Sequence, residues 1–584
     1  MSSKALIASM KNYVESISKA PLDILTECDS VAEDDEYEKK RQIFNTKFQF
    51  RPQVIILVSS TEQVSAVVRF VNEHPGQISL RVRSGGHDHE GECSATDAWL
   101  IDFRHMKEVT TIDASPQTKG RHIVTVEPGV IFREIKRRLD SKGWGIAHGT
   151  CGTVGVTGYT LGGGWGPWTR RYGMGCERLI GATIVLGNGD VVEVSDPDGA
   201  HTQKAELLWA LRGGGGFSYG IVTKLVFEPF LLPEKLHSFS VRFVDANDKP
   251  DRPTVEILRI WEELIADGRY PQLIGTNLKI KAAHLSPGQN PDPRARLDAT
   301  LYGYFDGPKE GITKLIKNNF GKDYEVKVDL SVQVGHGSVN GPGVGSLFYE
   351  SFEAWDRIFQ GSPSENGIQL EGSGPAPHKI TSRLADPFVQ RWPWDGFLDV
   401  FLFRGQRRRK GWGAHSRKAL VNTLQSSLVI PDESKTRFGV QQYITILAIA
   451  GPFYQHYKQA GIGCAFPYRD RPFILQFQAW WNQFLDSNGK PVVGQEKEDQ
   501  HGIINQAIVA NRRWSNLAED WIEACRDADI PGSGGAFISF KDDAIETNTY
   551  FADNFKRLCN IKANYSQDNN HLFTTRKTVF SERD

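Results

Sequence analysis

Two side chains able to act as nucleophiles sit in backbone that is largely glycine. His87 lies in RSGGHDHEG, residues 83–91, and Cys151 in HGTCGTVGVTG, residues 148–158. Imidazole and thiolate can each add to an electron-poor ring. A glycine pair just after a strand leaves backbone N–H groups free to point at an anion, and Gly85-Gly86 and Gly162 to Gly164 offer such backbone to a pyrophosphate. Duller readings stand beside these. His87-x-His89 has the spacing of a metal pair, but no third ligand follows at useful spacing, so no metal is expected. Cys151 taken alone is a buried thiol, the usual state of a free cysteine. Gly162 to Gly166 lacks the βαβ setting of a nicotinamide fingerprint, and Gly213 to Gly216 lacks the Lys-Ser/Thr of a P-loop.

These residues need elements to hold them. From Val54 to Val82 the pattern reads strand, helix, strand: VIILVSS, a Thr61 cap with Glu62 behind it, the periodic QVSAVVRFVNE, then ISLRVR running into Ser84. A second unit spans Trp99 to Trp144, with strands around AWLIDF and HIVTVEPGV and a helix around FREIKRRLDSKG. Cys151 to Gly175 is too irregular for a helix and too rich in glycine for a strand. ATIVLGNGDVVEV follows with an Asn188-Gly189 hairpin turn. Between Leu231 and Ile504 helices alternate with longer strands, such as FLDVFLF at Phe397, VQQYITIL at Val440 and FILQFQAW at Phe473. The tail returns to short strand plus helix.

The chain has 584 residues, more than one hydrophobic core organises, so two lobes are expected. Its 69 basic and 70 acidic side chains balance, which argues against nucleic acid as a partner. The 57 glycines exceed the usual share and gather where backbone must approach something closely. Seven cysteines without a CxxC pair make neither a disulfide framework nor a zinc site. Residues 1–20 read as an amphipathic helix, and no apolar run approaches a membrane span or a secretory signal. An intracellular, cytoplasmic protein without a membrane partner is the expectation; Asn564-Tyr565-Ser566 is weak evidence for secretion. The cationic run Arg404 to Lys418 reads as a solvated loop.

The two reactive blocks, with LGGGWGPWTRRYG, ELLWALRGGGG followed by GIVT, and YFADNFKRLCNIKANYSQDN, resemble the berberine-bridge-enzyme-like branch of the vanillyl-alcohol-oxidase flavoproteins. The resemblance covers most of residues 44–226 and 535–573, and thins to HKITSRLAD and AFPYRDRPFILQFQAWW between them. It implies an α+β fold: a two-part FAD-binding domain of the PCMH type, residues 1–230 with 505–584 returning to it, and a substrate domain, 231–504, with a large antiparallel sheet backed by helices. It implies FAD bonded covalently to both His87 and Cys151, which raises the flavin's reduction potential. Cofactor contacts are implied for Arg83, Ser84, Gly85, Gly86 and Asp88, for Val154, Gly155, Gly158, Gly163 and Gly164, and for Ile221, Val222 and Asn554. Val154 stands where the family associates valine with access of O2, which favours an oxidase.

The sequence departs from the family at the chemistry. Its tyrosine pair near the C-terminus, one member of which takes the substrate's hydroxyl proton, is replaced by Phe537 and Phe540 in AFISFKDDA; the tyrosine after the bonded histidine is His89, and a family histidine is Tyr159. Three replacements for the base are expected: His89, because imidazole titrates near neutrality; Tyr159, as a donor or phenolic acid; and Asp399, a carboxyl among phenylalanines in FLDVFLF, or else solvated at a sheet edge. Tyr443, Gln476 and Gln478 should border the substrate. The expected activity is oxidation of a small, largely apolar metabolite, of the kind handled in secondary metabolism and biosynthesis, with O2 reduced to hydrogen peroxide. The alternative is a non-redox isomerase or cyclase using His89 or Tyr159 as acid.

Overall fold

The computed structural model describes residues 3–27, 36–195, 202–233, 235–266, 270–333, 376–387, 412–429, 440–455, 463–481, 503–565 and 572–581. Asp399 and most of the cationic run lie outside these.

The first lobe holds two sheets. Val54–Leu57 and Leu80–Arg83 flank Trp99–Asp102 in parallel, with Asp23–Leu25 added antiparallel at the edge. The helix Thr61–Asn72 covers this sheet and is covered in turn by Ser3–Ser18, which buries Leu6, Ile7, Met10 and Val14 at helical spacing. Ser60, not Thr61, caps that helix: its hydroxyl accepts from the Gln63 N–H, while Thr61 Oγ1 pairs with Thr223 Oγ1. The second sheet runs Val109–Ile112, Ile123–Val126, Ile221–Phe227, Leu179–Val185, Val191–Ser195, all antiparallel. The glycine-rich stretch is more regular than expected, since Val156–Leu161 is a short helix.

The second lobe is an eight-stranded sheet with every neighbouring pair antiparallel. Its order is Val326–Gln333, Lys235–Arg242, Ala299–Phe305, Leu273–Lys281, Val440–Ala448, Phe473–Trp481, His378–Ala385, Ser533–Gly534. Alternation of side chains gives it two unlike faces. Val241, Leu278, Ile280, Ile444, Ile446, Leu475 and Phe477 pack against Trp261, Leu315, Leu420, Trp521 and Ile522 of four helices. The residues between them are mostly polar and face the first lobe. The helix Ile503–Asp527 belongs to this core, so packing changes lobes after Ser533–Gly534 and not at residue 505. From there Ala536, Ile538, Phe551, Leu558 and Ile561 join the core of the second sheet.

Candidate active site

A cavity of about 880 Å³ lies between the glycine-rich loops of the first lobe and the polar face of the large sheet. Two loops of the first lobe make its floor, and they touch through glycine: there is no room for a Cβ on Gly85 or Gly155. That contact sets His87 and Cys151 side by side, with Sγ 3.9 Å from both ring nitrogens. Thr153, which the sequence reading passed over, stands between them. Its hydroxyl is 2.8 Å from His87 Nε2 and 3.4 Å from Cys151 Sγ. Phe44 stacks on the imidazole at 4.0 Å. Burial, with His89 nearby, pushes the His87 pKa down to about 3, so its ring is neutral and nucleophilic at physiological pH.

Most of the expected cofactor residues line the cavity: Ser84 to Asp88, Cys151, Val154, Gly155, Gly158, Ile221 and Val222. Four do not. Arg83 turns into the protein, donating to Asp102 at 2.6 Å and to the carbonyls of Lys40, Arg41 and Gln42. Gly163 and Gly164 have φ of +101° and +77° and pack on Phe466, Phe537 and the Tyr159 ring, where a side chain would be strained and crowded. Asn554 donates to the Ala465 carbonyl. Asp88 lines the wall, yet its carboxylate is spent on structure: Oδ1 accepts the N–H groups of Glu90 and Glu92, and Oδ2 meets Lys541 at 2.7 Å.

Of the expected acid–base groups, His89 lines the cavity beside Phe540, ring centroids 6.0 Å apart. Its Nδ1 lies 2.9 Å from Nε2 of His378, a residue the sequence marked only as part of a family block. Tyr159 also lines the cavity; burial raises its pKa well above the ordinary value, and among the described residues its hydroxyl has no hydrogen-bond partner. Phe537 is fully buried against Phe466 and Phe540. Glu90, Asp542 and Asp543 cluster closely enough to hold a metal ion, but Lys379 fills that position, 2.6 Å from Glu90 and 3.6 Å from Asp542.

The sheet wall carries polar side chains. Ser240, Asn277, Lys279, Thr300, Tyr302, Thr445, Gln476 and Gln478 line it from five strands. Tyr443 donates to Gln478 Oε1, which also accepts from Trp480, while Gln478 Nε2 donates to Thr445 and Gln476. Lys279 lies over the Tyr443 ring at 3.8 Å. Asn277 Oδ1 is buried and finds no hydrogen-bond donor among the described residues. Phe44, Trp480, Phe537 and Phe540 make an aromatic end near His89.

Residues 52–195 match the FAD binding domain family, and residues 536–579 match the berberine and berberine-like family. Over these two segments the chain is similar to the berberine-bridge-enzyme-like proteins. Among curated relatives, glucooligosaccharide oxidase of Sarocladium strictum is 31% identical over 42% of this chain and 45% of its own length. Berberine bridge enzyme-like 21 of Arabidopsis thaliana is 23% identical over 90% of this chain and 83% of its own. The match thus spans less than half of the oxidase. A solved glucooligosaccharide oxidase from Acremonium strictum with a 6-S-cysteinyl, 8α-N1-histidyl FAD shares the fold, at TM-score 0.64 and 18% identity over 98% of this chain and 99% of that one. No described helix of the chain is long and apolar enough to cross a membrane.

Proposed function

We propose that this chain bonds FAD through His87 and Cys151 and is an oxidase of a small molecule. The observation that carries the reading is the convergence of a neutral imidazole and a thiol on one floor of a cavity otherwise walled there by glycine backbone. Backbone at Gly85, Gly86, Gly155, Gly158 and Gly216 lines the cavity without side chains and leaves space for a dinucleotide. The likeness to an oxidase whose FAD is bonded to cysteine and histidine supports the same two roles here. FAD, when bound, supplies a two-electron acceptor for hydride and passes the pair to O2 as hydrogen peroxide.

The chain's own residues hold the substrate and take its proton. His89 is the neutral base on the wall, replacing the tyrosines whose places Phe537 and Phe540 occupy. The substrate has an apolar part against Phe44, Trp480 and Phe540 and a hydrogen-bonding part on Asn277, Lys279 and Gln476. A small, largely apolar metabolite that carries a hydrogen-bonding group suits that two-part wall. Named oxidases among the relatives support redox chemistry over an isomerase.

The test is an absorbance spectrum before and after acid precipitation of the purified chain, His87→Ala and Cys151→Ala. Yellow colour staying with the native pellet, and with each single variant, is expected. Flavin that washes out of the native protein overturns the double tether.

A further inference from the structure

His89 and His378 are 289 residues apart in sequence and joined by one hydrogen bond, and the surroundings of that bond determine which atom carries each proton. His378 Nδ1 lies 2.9 Å from the Ala376 carbonyl oxygen, which only accepts. The proton is therefore on Nδ1, and in the neutral ring Nε2 is a bare lone pair. Nε2 meets His89 Nδ1, so the hydrogen in that bond belongs to His89. The remaining nitrogen of His89, Nε2, is then a lone pair on a side chain that lines the cavity, and no described residue bonds to it.

The pair is held from several sides. Asn45 Nδ2 donates to the carbonyls of both histidines, at 2.6 and 3.0 Å, and its Oδ1 accepts the His378 N–H at 3.1 Å. Trp480 covers the His378 ring at 4.1 Å, and the two imidazoles meet edge to face at 78°. A bond network of this kind around one rotatable ring fixes both orientation and tautomer, which is what a third group does for the base of a catalytic triad.

We propose that His89 and His378 work as one unit, in which His89 Nε2 takes the proton of the substrate O–H or N–H and His378 is a positioning residue that holds the basic tautomer. This rests on the oxidase reading for the reaction, though not for the tautomers. The substrate's O–H or N–H bond breaks and its proton goes to His89 Nε2. The electron pair left behind forms the new double bond, as the neighbouring C–H hydrogen departs as hydride to the two-electron acceptor, bound flavin. The imidazolium formed shares its Nδ1 proton with His378 Nε2.

Burial keeps the pair neutral. Burial first, and Lys541 with it, brings the His89 pKa down to about 4 against the opposing pull of Asp88. His378 is lowered by burial, then by His89, with His87 and Lys47 adding to the effect. The base is thus available across the neutral range and down towards pH 4.

The wild-type chain, flavin included, is tested by long-range 1H–15N NMR with 15N-labelled histidine. Protons on Nδ1 of both His89 and His378 are expected; a proton on His89 Nε2 overturns the unit. A second measurement follows carbethoxylation of His89 by diethyl pyrocarbonate, which attacks only unprotonated imidazole nitrogen, with peptide mapping between pH 4 and 8. His378→Phe, which removes the acceptor, is expected to slow modification at Nε2 severalfold, and His378→Gln, whose amide oxygen can accept, to restore it. Equal rates in all three proteins overturn the proposal, and the wild-type spectrum decides even where a variant does not fold. Neither readout uses electron transfer, so a chain with these tautomers whose flavin washes out fails the oxidase reading alone.

Discussion

Gly85 and Gly155 meet backbone to backbone: a Cβ on Gly85 would lie 2.3 Å from the Gly155 nitrogen, and one on Gly155 would lie 2.1 Å from Ser84 Oγ. The need for glycine at Gly155 is one of space, since its φ of −70° suits any residue. This is the contact that brings the His87 loop onto the Cys151 loop. Gly155→Ala is expected to force the loops apart, at about 1–3 kcal/mol for overpacking, and to reduce the fraction of flavin that stays with the acid pellet. Gly534→Ala, where a Cβ meets nothing within 4 Å, is the control and should change neither. Urea unfolding and the pellet's absorbance check both.

The reactive floor was legible in the sequence because both nucleophiles sit in short glycine blocks, and local blocks fold locally. His378 was not, because its partnership depends on a strand from the second lobe reaching back to a loop of the first, and on Asn45 clamping the two. Tyr443, Gln476 and Gln478 could be assigned to two strands bordering the substrate, but alternation alone left open which face they show. Asn277, Lys279 and Thr300 lie on strands that alternate equally well, but only the sheet order places them opposite Thr445 and its neighbours. Gly163 and Gly164 misled for a related reason. Positive φ and closeness to an aromatic ring call for glycine as strongly as a phosphate does. Arg83 came from the family resemblance, and only the strand register shows Asp102 beside it as its ion-pair partner.

Asn277 supplies a test of the polar wall that separates stability from binding. Its Oδ1 is buried without a donor among the described residues, an arrangement that costs about 1–3 kcal/mol. Asn277→Leu, similar in volume, is expected to leave the thermal midpoint unchanged or to raise it. If a substrate hydroxyl or amine uses that oxygen, KM rises about tenfold, one ordinary hydrogen bond's worth. A lower midpoint would mean the oxygen is already satisfied in the free protein.

Four histidines, His148 and His378 buried and His87 and His89 part-buried on the cavity wall, set the acid limit of the fold. His87 is pushed down to about 3 and His89 to about 4, and burial holds His148 and His378 well below 6.5. Below pH 6.5 the unfolded chain binds protons that the folded chain refuses, so stability falls as pH falls. The slope is about 1.4 kcal/mol per pH unit for each histidine. Glu90 works the other way: burial raises it from 4.5 to about 7, so the folded chain holds a proton there that the unfolded one releases. The histidines outnumber it. Urea unfolding between pH 7 and 4.5 should show a steep loss, and His378→Phe should flatten it by one histidine's share.

Lys541 and Asp88 act on His89 with opposite signs and can be separated by a pair of substitutions. Lys541 Nζ bonds Asp88 at 2.7 Å and Glu92 at 2.9 Å, and these carboxylates hold its pKa above the ordinary value although burial opposes them. Lys541 lowers His89, and Asp88 raises it. In Lys541→Met the Asp88 charge acts alone, so the His89 pKa rises and carbethoxylation at Nε2 is lost at a higher pH than in the wild type. In Asp88→Asn, whose side-chain oxygen can still accept from Glu90 and Glu92, Lys541 acts alone and the acid limb moves lower. Removing one partner of this part-buried pair also lowers the stability of the fold, read by urea unfolding. Shifts of the same sign in both variants would show that the pair alters His89 through loop packing and not through charge.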